Sequence, residues 1–171
     1  MAGPISLADA KAWLRVDDDF EDAVIQQLID TAARHIENVY GVVAAEQTRT
    51  FLFDGFSAEM RLPRNPVDTA SVTVAYYDLN GTPLSFTGAR AVERDGWSWL
   101  FPPIGEVWPK CALVPGAVEV TATVGYVNDA VPDDIKQATR LLIDHWFTTR
   151  DYSCQPDSID FLIDHYRFRR V

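Results

Sequence analysis

The residues of this chain with acid–base or metal-binding capacity gather in a few places. His145 and His165 sit in matching contexts, Leu142-Ile143-Asp144-His145-Trp146 and Leu162-Ile163-Asp164-His165-Tyr166. A histidine beside a carboxylate can hold a metal or relay a proton, which would suit a metal-dependent hydrolase. On a helix, however, adjacent residues point about 100° apart, so Asp144 and His145 do not converge on one ligand. No third ligand stands near either pair in sequence, so the two segments read as amphipathic helices sharing a pattern. No catalytic residue, metal or cofactor is expected.

Other clusters admit a chemical and a plainer reading. Asp17, Asp18 and Asp19, with Glu21 and Asp22, lack the alternating acids, glycine and distal glutamate of a calcium loop. They suit the positive end of a helix. Trp97, Trp99, Trp108, Tyr76 and Tyr77 could form a stacking platform for sugar or single-stranded nucleic acid. They could equally be core and inter-subunit contacts, since tryptophan is enriched at protein interfaces. Cys111 and Cys154 form no CxxC pair, which disfavours zinc and suits a reducing compartment. No phosphate loop, GxSxG elbow, HExxH helix or EF-hand loop is present. The run Tyr166-Arg167-Phe168-Arg169-Arg170 mixes aromatics with cations at the C-terminus. It reads either as an arm that docks on an acidic or aromatic partner or as a solvated chain end.

Composition bounds the answer. The 171 residues, 47% hydrophobic and 12% aromatic, suit a globular domain with an inserted module. A formal charge of −10 repels a nucleic-acid backbone rather than gripping it. No apolar run reaches transmembrane length and no signal-peptide pattern opens the chain, so a soluble protein made in a cytoplasm is expected.

The elements that position these residues follow from periodicity. Ser6 and Asp9 form a capping-box pattern ahead of a short helix over Leu7–Leu14. Ile25, Leu28, Ile29, Ala32, Ala33, Ile36 and Tyr40 recur at spacings of three and four and predict a helix from Phe20 to Val39. One of Asp17–Asp19 should cap it, and Gly41 should stop it. From residue 46 to 126 the pattern changes to short β-branched runs. Strands are expected over Gln47–Phe53, Glu59–Leu62, Ser71–Asp78, Leu84–Phe86, Arg90–Arg94, Ser98–Phe101 and Ala117–Gly125. Asn80-Gly81 predicts a hairpin. Helix returns with Asp133 as N-cap and Ile135, Ala138, Leu141, Leu142, His145 and Trp146 as its stripe, ending near Thr149. A last short helix should cover Ser158–Phe168. The expected fold is α+β. Residues 1–45 and 127–171 build a helical core, and residues 46–126 form an inserted antiparallel β-rich module.

Several segments in this order carry a family likeness. They are Leu7–Val16 followed by acids, Glu21–Ile29, Ala32–Glu37, Leu62-Pro63-Arg64-Asn65-Pro66-Val67, a strand with Tyr76, Asp78 and Gly81, Trp108-Pro109, Val118–Tyr126, Val131-Pro132 and Ile135–Arg150. Together they make the chain resemble the phage head–tail connector (adaptor) proteins, including those of prophages and gene transfer agents. The resemblance implies a structural subunit of a ring, of twelve copies in the family, bound between the portal protein and a tail-completion or stopper protein. Such a ring lets the genome pass without specific DNA binding. It implies residence at the head–tail junction of a virion or phage-like particle, and in the host cytoplasm during assembly. It also implies that a C-terminal arm, here Tyr166, Arg167, Phe168, Arg169 and Arg170, docks on the portal. Removing Asp157–Val171 is then expected to leave a folded subunit that no longer joins portals. The rival expectation is a monomeric module whose aromatic β segment binds carbohydrate or protein.

Overall fold

The computed structural model describes residues 3–94, 96–127, 130–152 and 155–167. The chain divides into two compact units, one of Met1–Glu46 with Tyr126–Val171 and one of Gln47–Gly125.

In the helical unit, α1 spans Leu7–Leu14, α2 Asp22–Tyr40, α3 Asp133–Thr149 and α4 Asp157–Ile163, followed by a 3-10 turn over Asp164–Tyr166. The capping box forms as the sequence implies. The Ser6 hydroxyl accepts from the Asp9 amide at 3.1 Å, and the Asp9 carboxylate accepts from the Ser6 amide at 3.3 Å. Gly41 ends α2 in the left-handed region, φ 79°, and its N–H donates to the Glu37 carbonyl. The stripe of α2 is buried at Ile25, Leu28, Ile29, Ala32, Ile36 and Tyr40, while Ala33 is half-buried. From α3 come Ile135, Ala138, Leu142, Ile143 and Trp146, and from α4 Ile159 and Ile163; all join one apolar cluster with α2. Each fully buried aliphatic side chain in such a cluster contributes about 1.5–3 kcal/mol.

Three helix boundaries differ from expectation. No aspartate caps α2: its N-cap is Glu21, without a side-chain cap bond. Lys11 lies 2.7 Å from both Asp19 and Asp22, and Asp18 accepts from the Phe20 amide. The acids therefore close the α1–α2 corner. Likewise Asp133 is the first residue of α3 rather than its cap, because Pro132 takes the cap position and its carbonyl accepts from Lys136. The last α-helix stops at Ile163 and tightens into the 3-10 turn; Phe168, its expected end, lies outside the described residues.

Among its described residues, the second unit holds seven strands: β1 Gln47–Phe53, β2 Met60–Arg61, β3 Thr73–Tyr77, β4 Pro83–Phe86, β5 Arg90–Arg94, β6 Trp97–Phe101 and β7 Val118–Val124. They form a four-stranded sheet in the order β1-β7-β3-β4 and a three-stranded sheet in the order β2-β6-β5, with every pairing antiparallel. Strict alternation along β7 buries Val118, Val120, Ala122 and Val124. Met60 and Leu100 from the second sheet, with Leu62 just beyond β2, pack with Val74, Val118 and Val120 from the first in one core. The Asn80-Gly81 turn joins β3 to β4: Gly81 takes φ 79°, and the Asp78 carboxylate accepts from the Asn80 and Thr82 amides, each at 2.8 Å. Helices and antiparallel strands segregated along the chain make the fold α+β.

Candidate assembly surfaces

The two matching histidine segments do different structural work. His165 lies 3.4 Å from Asp134 on α3 and packs against Tyr166, with ring centres 4.0 Å apart. His145 lies on α3, and its carbonyl accepts from the Thr149 hydroxyl at 2.6 Å. His35 reaches Gln155 at 2.6 Å and meets the edge of Trp146. Among the described residues, no three His, Cys, Asp or Glu side chains gather as a metal site. Cys154 lies outside the described residues, and Cys111 is a free thiol packed on the β core.

The aromatic residues of the β unit divide between core and surface. Trp108 stacks on Phe56 at 4.7 Å, and Phe56 meets Tyr76 and Phe86, so these rings pack on the core rather than forming a platform. Trp97 and Trp99 face the other way, off the three-stranded sheet, and each is covered by a guanidinium. Arg61 lies 4.0 Å from the Trp97 ring centre, and Arg94 lies 4.6 Å from that of Trp99.

Tyr166 and Arg167 are held on the helical unit. Tyr166 donates its hydroxyl to Asp134 at 3.1 Å. Partial burial, then the Asp134 carboxylate, push that phenol well above the usual tyrosine range. Arg167 donates to Asp160 at 2.6 Å and holds its Nε 3.0 Å from Asp164. Its guanidinium also lies 5.0 Å from the Tyr40 ring centre. Tyr40 in turn donates to Asp160 at 2.5 Å and accepts from Gln155 at 3.1 Å. Burial first, then Asp160, raise the Tyr40 phenol. Phe168, Arg169 and Arg170 lie outside the described residues. Sequence reasoning missed this clasp because its partners, Tyr40 and Gln155, are 115 residues apart.

Further large apolar side chains are exposed. Phe20, beside the acidic corner, is 94% exposed, and Phe161 on α4 is 90% exposed. The long connection from β6 to β7 carries Ile104, Val107 and Leu113, all largely exposed. Among the described residues, no helix is long and apolar enough to cross a membrane.

Comparison with known proteins agrees with a structural part. No curated protein matches the chain significantly. Among solved structures, the chain is similar to a protein from the neck of an empty gene transfer agent particle computed with C6 symmetry. The identity is 22% and the TM-score 0.77, covering 98% of this chain and 91% of that one. It is also similar to a protein of the native gene transfer agent virion, at 22% identity and TM-score 0.78, covering 100% and 94%. A third, from the native neck computed with C12 symmetry, matches at 24% identity and TM-score 0.70, covering 94% and 89%. These likenesses establish the shared fold. Residues 5–159 match the head completion protein family, which is nearly the whole chain. The chain therefore belongs to the head completion protein family and is a structural subunit of the head–tail connector.

Proposed function

We propose that the chain forms a ring of identical subunits between the portal and the tail, through which the genome passes. The observation that carries this reading is the family match over residues 5–159, joined to a fold shared along the whole chain with gene transfer agent neck proteins. Twelve copies are proposed, because a twelvefold ring contains sixfold symmetry and so accords with the C6 and C12 symmetry of those necks. The subunit works at the head–tail junction of the particle after its synthesis in the host cytoplasm.

The helical unit is the ring body in this reading, and the β unit supplies peripheral contacts. The role is structural rather than enzymatic. A net charge of −10 suits a conduit, since a lining that neutralised phosphates would hold the DNA by counterion release. The portal is docked by the chain end around Tyr166, Arg167, Phe168, Arg169 and Arg170. Arg167 serves as its anchor point rather than as a mobile hook, because Asp160 and Tyr40 engage it. Removing Asp157–Val171 is the wrong probe, since Ile159 and Ile163 are fully buried in the helical core.

The test is co-expression with the portal protein, followed by gradient sedimentation and electron microscopy of the captured complex. A ring of this chain on the portal is expected, and removal of residues 168–171 should release it while the subunit stays folded. A full-length chain that remains monomeric with portal present would overturn the reading.

A further inference from the structure

A basic, aromatic surface covers the outer face of the three-stranded sheet. The register sets Arg61 opposite Trp99 and Arg94 opposite Trp97, while the alternate residues Met60, Ser98 and Leu100 are buried. The Arg61 guanidinium lies over the Trp97 ring and that of Arg94 over the Trp99 ring, and Glu59 holds Arg94 at 3.2 Å. Arginine and tryptophan dominate binding hot spots, and these four are already fixed in place, so docking on them costs little side-chain entropy.

Charge decides what fits. The β unit carries six Lys and Arg against eight Asp and Glu, whereas the helical unit carries nine against seventeen. At one corner of the helical unit Asp17, Asp18 and Asp19 are exposed, and the neighbouring Phe20 is 94% exposed. That corner offers carboxylates for guanidinium groups and an aromatic ring for an aromatic surface. A nucleic acid fits less well: base stacking needs open indole faces, and guanidinium groups lie over these two.

We propose that the Arg61–Arg94–Trp97–Trp99 face docks the acidic corner of a second copy of this chain, with Phe20 seated against the arginines and tryptophans. Face and corner are different surfaces, so the contact is head-to-tail, the kind that closes rings. The inference rests on the ring reading and names one of its contacts.

The experiment compares wild-type, Arg94→Glu, Phe20→Ala and the double variant Arg94→Glu/Asp17→Arg as full chains co-expressed with portal. Native mass spectrometry counts the bound copies, and circular dichroism checks folding. The Arg94 and Phe20 side chains are exposed, so all variants are expected to fold. Arg94→Glu and Phe20→Ala should each weaken subunit association roughly tenfold or more, and the charge-swapped double variant should regain assembly. Should Arg94→Glu fail to fold, Phe20→Ala alone decides. Full rings from both single variants would overturn the contact. So would unchanged rings from variants that have lost duplex DNA binding in a parallel gel-shift assay, which would make the face a nucleic-acid surface. A wild-type chain that forms no oligomer fails the ring reading itself, a result distinct from either.

Discussion

The Arg167 guanidinium donates to Asp160 at 2.6 Å, and the same carboxylate oxygen accepts the Tyr40 hydroxyl. One carboxylate thus ties the last described residue of the chain to the C-terminal end of α2. The Tyr40 ring is fully buried beneath the guanidinium, so the clasp joins apolar packing to charge. A partly buried, shared acceptor is worth more than an exposed pair, because screening is weaker there.

Arg167→Ala should therefore destabilise the helical unit by about 1 kcal/mol, measured by denaturant unfolding. Asp160→Asn should cost at least as much, because it weakens the bonds of both Arg167 and Tyr40. In either variant, backbone amides of residues 164–167 should exchange hydrogen faster than in wild type. Unchanged exchange there would mean that residues 164–167 are held by Tyr166 and Asp134 alone.

The N-terminal capping box gives a pH dependence of known sign. The Ser6 hydroxyl and then its amide hold the Asp9 carboxyl below its ordinary value. A depressed folded-state pKa adds stability that is present above the unfolded value and lost as pH falls through the folded one. The loss begins at about pH 4. Ser6→Ala should cost roughly 1 kcal/mol at neutral pH and flatten the dependence below that point. Parallel acid-unfolding curves for wild type and variant would show that the box contributes no pH-linked stability.

Local patterns carried much of the fold in the sequence. Alternation along Val118–Val124 and the three-and-four spacing of Ile25, Leu28, Ile29 and Ile36 depend on nothing distant, and both elements form where they read. The Ser6–Asp9 box and the Gly41 stop are equally local. The misplaced α2 cap had a remote cause. Asp19 and Asp22 are engaged by Lys11, a side chain on the preceding helix that no helix-start rule includes. The aromatic residues were recognisable as a group, but not their division. Strand register sets Trp97 and Trp99 beneath arginines, whereas Trp108, on the connection between β6 and β7, stacks on Phe56 against the core. Arg167 read as part of a free arm because Tyr40, Asp160 and Asp164 meet it only in three dimensions.

The β3–β4 turn is a clean test of backbone strain. Gly81 adopts φ 79°, and an added Cβ there would meet nothing within 4 Å. Any cost of Gly81→Ala is then conformational rather than steric crowding from neighbours. About 1 kcal/mol of destabilisation is expected, confined to the β unit. Gly81→Asn should cost less, since asparagine tolerates the left-handed region. Equal loss in the two variants would show that something other than the left-handed backbone sets the penalty.

Two separate apolar clusters predict separable unfolding. Leu142 is fully buried in the helical cluster, and Leu100 is fully buried in the β cluster. Truncating either to alanine should cost about 2–5 kcal/mol through lost burial and the cavity left behind. The tryptophans distribute with the clusters: Trp13 and Trp146 lie in the helical unit, and Trp97, Trp99 and Trp108 in the β unit. Backbone amide exchange can therefore be compared with tryptophan fluorescence unit by unit. Leu142→Ala should raise exchange throughout α2, α3 and α4 and leave β7 protected; Leu100→Ala should do the reverse. If each substitution instead loosened both units equally, the two clusters would unfold as one cooperative body, and the two-unit division would describe geometry without energetic independence.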